Sequence, residues 1–247
     1  MITGSAGGIG KAIAHRLAEA GAGLDLIDID ERKLQSAERE LSNISADIDI
    51  HRIDLSDKKE IDELWKKLRD HEPDILVNNA GVYPFKNFMK VDEGFYRRAM
   101  DVNLNSVFWM CQNMISRRLK RGGVIINVGS IEAIVPFKED LTHYSMSKAG
   151  IIALTRSLAN EYGRHGFRII AILPGGTVTP GTKSAAKEIL HFKLDLVKAG
   201  IEFKQRLPIN RLGRPDEVAW MVSVLACDLS TYVQGALILV DGGFLSA

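Results

Sequence analysis

Hydrophobic positions along this chain follow two alternating rhythms. Short, near-continuous apolar runs occupy 24–29, 48–53, 75–78, 124–128, 168–173 and 237–240. Between them, apolar residues recur every three or four positions over roughly 9–20, 31–42, 58–70, 93–120, 142–162 and 216–226. The first rhythm predicts strands buried on both faces; the second predicts amphipathic helices. Their alternation predicts an α/β fold, a parallel sheet with helices on both faces. No linker, repeat or low-complexity tract divides the chain, so 1–247 reads as one domain. One segment breaks the rhythm. Residues 181–206 carry a mixed helical pattern (Ala185, Ile189, Phe192, Leu196) and are too long for an ordinary connection. They read either as a lid over a site or as a helical insertion on the surface.

Composition narrows the classes. Basic and acidic residues number 32 and 31, for a net charge of +1, and no block of either sign stands out. That argues against a nucleic-acid or membrane partner. The two cysteines, Cys111 and Cys227, are far apart and form no CxxC pair. No disulfide framework or cysteine-rich metal site is expected, and a reducing compartment is. The apolar runs fall short of the ~20 residues that span a bilayer. Residues 4–10 are glycine-rich rather than the apolar core of a signal peptide. The expected location is the cytoplasm.

The first chemical motif is Thr3-Gly4-Ser5-Ala6-Gly7-Gly8-Ile9-Gly10, followed by a helical pattern. Glycines let the backbone turn tightly and approach a pyrophosphate, and the helix presents its N–H groups and positive end to that charge. Asp28 ends the next apolar run. A carboxylate there accepts hydrogen bonds from ribose hydroxyls and repels a 2′-phosphate, which favours NAD over NADP. The other reading is a solvated strand-end aspartate. Positions 29–31 hold no basic residue; Arg32 is the nearest, and Lys11 adjoins the loop. Only Met1-Ile2-Thr3 precede Gly4, fewer than the usual ~5 residues of a strand. Either the first strand is unusually short or the natural start lies upstream. In the second case an extended form is expected to be more stable and to bind cofactor better.

The second motif is Tyr144-Ser145-Met146-Ser147-Lys148, opening a helix so that Tyr144 and Lys148 share a face. A phenol titrates near ~10, and a neighbouring ammonium lowers that value and makes tyrosine a usable acid/base. Ser130 follows the run 124–128 and Asn78-Asn79-Ala80-Gly81 follow another, at the strand ends where parallel sheets bind ligands. Asn103 lies within the long helical region, either holding a water or bending the helix.

Taken together, TGSAGGIG, DLSD (Asp54–Asp57), NNAG, DVNLNSVF, INVGS, YSMSK, LPGGTVT and VDGG resemble the short-chain dehydrogenase/reductase family from Thr3 to Gly243. The resemblance implies a Rossmann-type, doubly wound sheet of seven parallel strands, from which this chain departs in a nearly absent first strand. It implies an NAD-dependent oxidoreductase, with Tyr144 as acid/base and Lys148 on the nicotinamide ribose, lowering the tyrosine pKa. Ser130 orients the substrate and Asn103 supports a water relay. Gly4, Ser5, Gly8, Ile9 and Gly10 form the cofactor loop, with Asp28 on the ribose and Asp54 and Leu55 near the adenine. Asn79, Ala80 and Gly81 shape the adenosine side, and Pro174, Gly175, Thr177 and Thr179 the nicotinamide end. A homotetramer built on the helices near 93–120 and 142–163 is implied too. Two further departures stand out: Thr177 replaces the usual Val or Ile, and Ile170 replaces the usual Asn.

The loop between Ser130 and Tyr144 is polar and charged, with Glu132, Lys138, Glu139, Asp140 and His143. With PGGTVTP it is similar to sugar 1-dehydrogenases of the family, which implies oxidation of an aldose to its lactone. Glu132 and His143 are candidate sugar contacts or solvated loop residues. The alternatives are reduction of a 3-oxoacyl thioester, a polyol dehydrogenase, and a dinucleotide-binding scaffold without turnover. For the thioester, Lys183, Lys187, Lys193 and Lys198 would supply a basic surface.

Overall fold

A computed structural model describes residues 1–45, 47–68, 71–179, 203 and 205–246. Seven strands form one sheet in the order β3-β2-β1-β4-β5-β6-β7, every pair parallel. They are β1 Ile2–Thr3, β2 Leu24–Asp28, β3 Ile48–Arg52, β4 Ile75–Asn78, β5 Gly123–Val128, β6 Phe167–Pro174 and β7 Leu237–Val240. The described helices are α1 Gly8–Glu19, α2 Glu31–Leu41, α3 Lys58–Lys67, α4 Glu93–Met100, α5 Ser106–Arg118, α6 Thr142–Tyr162 and α7 Pro215–Ala226.

Neighbouring strand residues point to opposite faces, and the apolar runs fill both. Ile2, Leu26, Val77, Ile126 and Ile170 pack with Ile13 and Leu17 of α1, Leu34 of α2 and Val218 and Val222 of α7. On the other face Ile27, Leu76, Ile125 and Ile169 pack with Trp65 of α3, Met110 of α5 and Ile151 of α6. Ile170, where the resemblance expects an asparagine, is fully buried in the first of these layers. Each of α2, α3 and α4 starts on an aspartate that accepts a backbone N–H: Asp30 from Lys33, Asp57 from Lys59 and Asp92 from Phe95.

The first strand has two residues yet takes the central place. Ile2 pairs with Leu26 on one side and Val77 on the other, and the Val77 N–H donates to the Met1 carbonyl at 2.9 Å. The chain winds outward from β1 in both directions, so the ends of β1 and β4 flank the crevice where open sheets bind ligands.

The continuous helix expected over 93–120 is interrupted. A π-helical stretch, Asp101–Asn105, separates α4 from α5. The Asn103 side chain accepts from the Val82 N–H at 2.8 Å and donates to the Val82 carbonyl at 2.9 Å. The Ser106 hydroxyl donates back to the Val102 carbonyl at 2.7 Å. The wider turn brings Asn103 inward, fully buried, against the segment after β4. No described helix is long and apolar enough to cross a membrane.

Candidate active site

The glycine loop is tied to β4 by β1. The Thr3 hydroxyl oxygen accepts the N–H groups of Asn79 and Ala80 at 2.9 and 3.0 Å. The Asn79 amide donates to the carbonyls of Thr3 and Gly4, both at 3.0 Å. Gly4 has φ +62°, and a Cβ there would lie 2.8 Å from the Ala80 Cα. A Cβ on Gly10 would run into the Gly4 carbonyl. Glycine at both positions therefore permits the close approach that folds the loop. Ser5 donates its N–H and its hydroxyl to the Ile27 carbonyl. The Asp28 carboxylate accepts from the Ala6 and Asp30 N–H groups, each at 3.1 Å. α1 opens at Gly8 with no side-chain cap and no acid in its first turn, which leaves its positive end facing outward.

Across the crevice, Ser130 follows β5 while Tyr144 and Lys148 lie one turn apart on α6. Beneath them a buried amide chain joins three elements. Asn78 donates to Asn127 at 2.9 Å, and Asn127 donates to Thr155 at 3.0 Å. The Lys148 Nζ donates to the Val128 carbonyl at 2.8 Å and lies 5.8 Å from the Tyr144 ring centre. A Cβ on Gly81 would stand 3.7 Å from that Nζ and 3.2 Å from Asn103 Oδ1, so Gly81 keeps this corner open. Burial pushes the Tyr144 phenol up to about 12; a hydrogen bond from Ser130 opposes the shift and the charge of Glu132 adds to it. Burial lowers the Lys148 ammonium to about 8. The Lys148 ammonium is held on the Val128 carbonyl, one helical turn from the phenol.

Glu132 and His143 are buried, so the solvated-loop reading fails for both. Glu132 Oε2 accepts from the Phe137 N–H and the Ser145 hydroxyl, while Oε1 has no partner among the described residues. Burial raises the Glu132 carboxyl. His143 Nε2 donates to the Pro84 carbonyl at 2.8 Å, its ring packs edge-on against Phe95, and Nδ1 has no partner among the described residues.

The loop after β6 closes the far side. The Gly175 N–H donates to the Val240 carbonyl at 3.0 Å, and Thr177 bridges to Gly213 while donating its hydroxyl to the Gly175 carbonyl. Thr179 lies against Gly8, so this loop reaches the glycine loop. A cavity of about 330 Å³ beside it is lined by Thr177, Arg211, Glu217 and Asp241 among others; Ser130, Tyr144 and Lys148 do not line it. The lid expected at 181–206 lies outside the described residues except at Phe203, Gln205 and Arg206. Phe203 is buried with Ile131, Leu207 and Phe244.

A family model described as enoyl-(acyl carrier protein) reductase matches residues 4–245. The chain is 33% identical to a 3-oxoacyl-[acyl-carrier-protein] reductase of Thermotoga maritima, over 99% of this chain and 96% of that one. It is 34% identical to an L-rhamnose 1-dehydrogenase (NAD(P)(+)) of Azotobacter vinelandii, over 98% and 94%. The L-sorbose reductase of Gluconobacter frateurii, solved with NADPH and L-sorbose, superposes with a TM-score of 0.91 at 28% identity, over 100% and 95%. The chain belongs to the short-chain dehydrogenase/reductase family. It is an oxidoreductase that uses a nucleotide cofactor, and it resembles the sugar dehydrogenases of that family.

The crevice of this short-chain dehydrogenase/reductase fits a dinucleotide. The close-packed glycines leave backbone where side chains would intrude, and the uncapped start of α1 complements a pyrophosphate. Lys11, the basic residue beside the loop, pairs with Glu40 at 2.6 Å. Asp54 accepts from Ser56 and pairs with Arg98 at 3.0 Å, and Leu55 is buried beside it. No group of three or more metal-ligating side chains occurs among the described residues. Sequence reasoning missed Thr3 as the hub of the loop, Tyr83 against the Tyr144 ring, and the cluster of Phe137, Phe203 and Phe244. Thr3 opens the quoted glycine motif and Tyr83 follows NNAG, so both were findable; the phenylalanines are far apart in sequence and carry no local signal.

Proposed function

We propose that this enzyme oxidises the anomeric hydroxyl of an aldose to the lactone, with NAD as the hydride acceptor. The observation that carries the reading is Glu132 Oε1, buried beside the Ser130–Tyr144 hydroxyl pair with no donor among the described residues. Such an oxygen costs about 1–3 kcal/mol until a donor reaches it. A second sugar hydroxyl, next to the reacting carbon, supplies that donor. The likeness to an L-rhamnose 1-dehydrogenase supports the same substrate class.

Tyr144 removes the proton from the anomeric hydroxyl, and Ser130 holds that oxygen through its own hydroxyl. NAD, held in the crevice, would supply the hydride acceptor, and its positive charge would favour the ionised phenol of Tyr144. Lys148 places its ammonium on the nicotinamide ribose. Asn103 fixes the segment after β4 and supports the water relay behind the lysine. Gly4, Ser5, Gly8, Ile9 and Gly10 hold the pyrophosphate, and Asp28 takes the adenosine ribose hydroxyls. Asp54 and Leu55 border the adenine, and Asn79, Ala80 and Gly81 the adenosine side. Pro174, Gly175, Thr177 and Thr179 border the nicotinamide. Glu132 contacts the sugar. His143, with one nitrogen on Pro84, acts by shaping the wall rather than by reaching the sugar freely.

Two apolar faces support a homotetramer: Tyr96, Phe108 and Met146 on the α4–α6 side, and Trp220, Val224 and Leu239 on the α7–β7 side, all exposed. A cytoplasmic location belongs to the same proposal. A second reading, reduction of a 3-oxoacyl thioester, is favoured by the 33% identity to the Thermotoga maritima enzyme. NADH formation across aldoses, polyols and 3-hydroxyacyl thioesters, with NADP⁺ alongside, separates the two. Aldose turnover with NAD⁺ preferred is expected. Turnover of the thioester alone installs the second reading.

A further inference from the structure

The wall that carries Glu132 also carries a positive charge, Lys138, with no ion-pair or hydrogen-bond partner among the described residues. The Lys138 Nζ lies 5.9 Å from the ring centre of Tyr83, 5.8 Å from Phe85 and 5.9 Å from Phe137. Among the described residues no carboxylate stands within ion-pair distance of it, and it donates no hydrogen bond to them. The Tyr83 ring in turn packs edge-on against the Tyr144 ring, with centres 4.6 Å apart. Lys138 is thus separated from the reacting phenol by one aromatic side chain. The side chain is half-buried and burial lowers its pKa, with the charge of Glu132 acting the other way. Its backbone is not a loose loop, because neighbouring Phe137 packs on Phe203 and Phe244 with ring centres 4.8 and 5.0 Å away.

An ammonium held by ring faces alone has lost part of its hydration without gaining an acceptor. A neutral hydroxyl meets that need weakly; a carboxylate meets it with charge-assisted hydrogen bonds. Glu132, at the reacting end, repels a carboxylate placed beside the reacting carbon. The position of Lys138 beyond Tyr83 suits one carried further along the substrate. We propose that Lys138 is a specificity-determining residue that binds a substrate carboxylate, so that the substrate is an acidic sugar: an aldose whose far carbon carries a carboxylate. The carboxylate contact stands on the geometry of Lys138; the aldose at the other end rests on the function proposed above.

The test compares kcat/KM with NAD⁺ for matched pairs, glucose with glucuronate and galactose with galacturonate, in the wild type, Lys138→Met and Lys138→Arg. Gluconate, which has a carboxylate but no anomeric hydroxyl, is titrated as a competitive inhibitor in each. The wild type is expected to favour a uronate by at least about tenfold, carried by KM, with the ratio falling toward unity in Lys138→Met and kept in Lys138→Arg. Gluconate is expected to inhibit the wild type and the arginine variant more strongly than Lys138→Met. Equal turnover of acidic and neutral sugars, or a preference that survives Lys138→Met, overturns the proposal. If no aldose of either kind is oxidised while gluconate binding to the NAD-loaded enzyme, followed by calorimetry, still depends on Lys138, the carboxylate contact stands and the aldose reading falls. Circular dichroism and melting of both variants exclude misfolding as the cause.

Discussion

At the glycine loop, the polar side chains of Thr3, Asn79, Ser5 and Asp28 bond to backbone groups of the loop and the strands beside it. At the opposite wall, Glu132 Oε1, His143 Nδ1 and the Lys138 ammonium have no hydrogen-bond partner among the described residues. The shape of the first region is set by the protein, and a cofactor meets backbone already in place, with the uncapped start of α1 left for its pyrophosphate. The second has polar groups without a hydrogen-bond partner among the described residues, which a ligand would satisfy. A region of the first kind suits a cofactor common to many reactions. One of the second kind selects among substrates, because a wrong one leaves a buried group unpaired.

The sharpest way to separate the two regions is Tyr144→Phe. It removes the acid/base without touching the glycine loop, so turnover is expected to fall by about 10³-fold. Cofactor affinity, measured by fluorescence titration, is expected to stay within about threefold. A comparable loss of cofactor binding would show that the halves are not independent.

The pH profile of the reaction is the next largest effect. The Tyr144 phenol is raised to about 12, so near neutrality it is protonated. Oxidation needs the ionised form and is expected to speed up by approaching tenfold per pH unit above pH 6, while reduction needs the protonated form and is expected to lack that rise. The slope flattens where bound cofactor has brought the phenol down or where Lys148, near 8, loses its charge. A flat oxidation profile over the same range would remove Tyr144 as the base.

Asp28→Ser sharpens the cofactor side. Taking away the carboxylate is expected to cut the preference for NAD⁺ over NADP⁺ about tenfold in kcat/KM. It also removes the acceptor of the Ala6 N–H, so a melting curve belongs beside the kinetics. Thr3→Val is the smallest change. It leaves the Asn79 and Ala80 N–H groups without their acceptor, and urea unfolding is expected to show a loss of about 1–3 kcal/mol with cofactor affinity reduced in step. Unchanged stability would mean that the loop is held by Asn79 alone.

Much of the scaffold was legible because parallel strands covered on both faces are mostly apolar. The runs at 75–78 and 237–240 coincide with β4 and β7, and the pattern at 142–162 with α6. The catalytic candidates were legible for a similar reason: Tyr144 and Lys148 lie on one helix at fixed spacing, and Ser130 follows a strand end. The break at Asp101–Asn105 was not, since nothing local distinguishes an asparagine that faces solvent from one that turns inward to clamp Val82. Nor did local pattern say whether Glu132 and His143 were solvated; their burial depends on Phe137, Ser145, Pro84 and Phe95.

The sequence by itself determined the alternation of strands and helices, the glycine loop and the spacing of the tyrosine and lysine, because hydrophobic period and backbone permissiveness are properties of neighbouring residues. Only the tertiary structure decided that a two-residue strand holds the centre of the sheet. It also decided that Lys148 rests on Val128 instead of the phenol, and that Glu132 and Lys138 share one wall with unmet polar groups. Each of those outcomes depends on desolvation and on contacts between residues far apart in the chain, which no local pattern records.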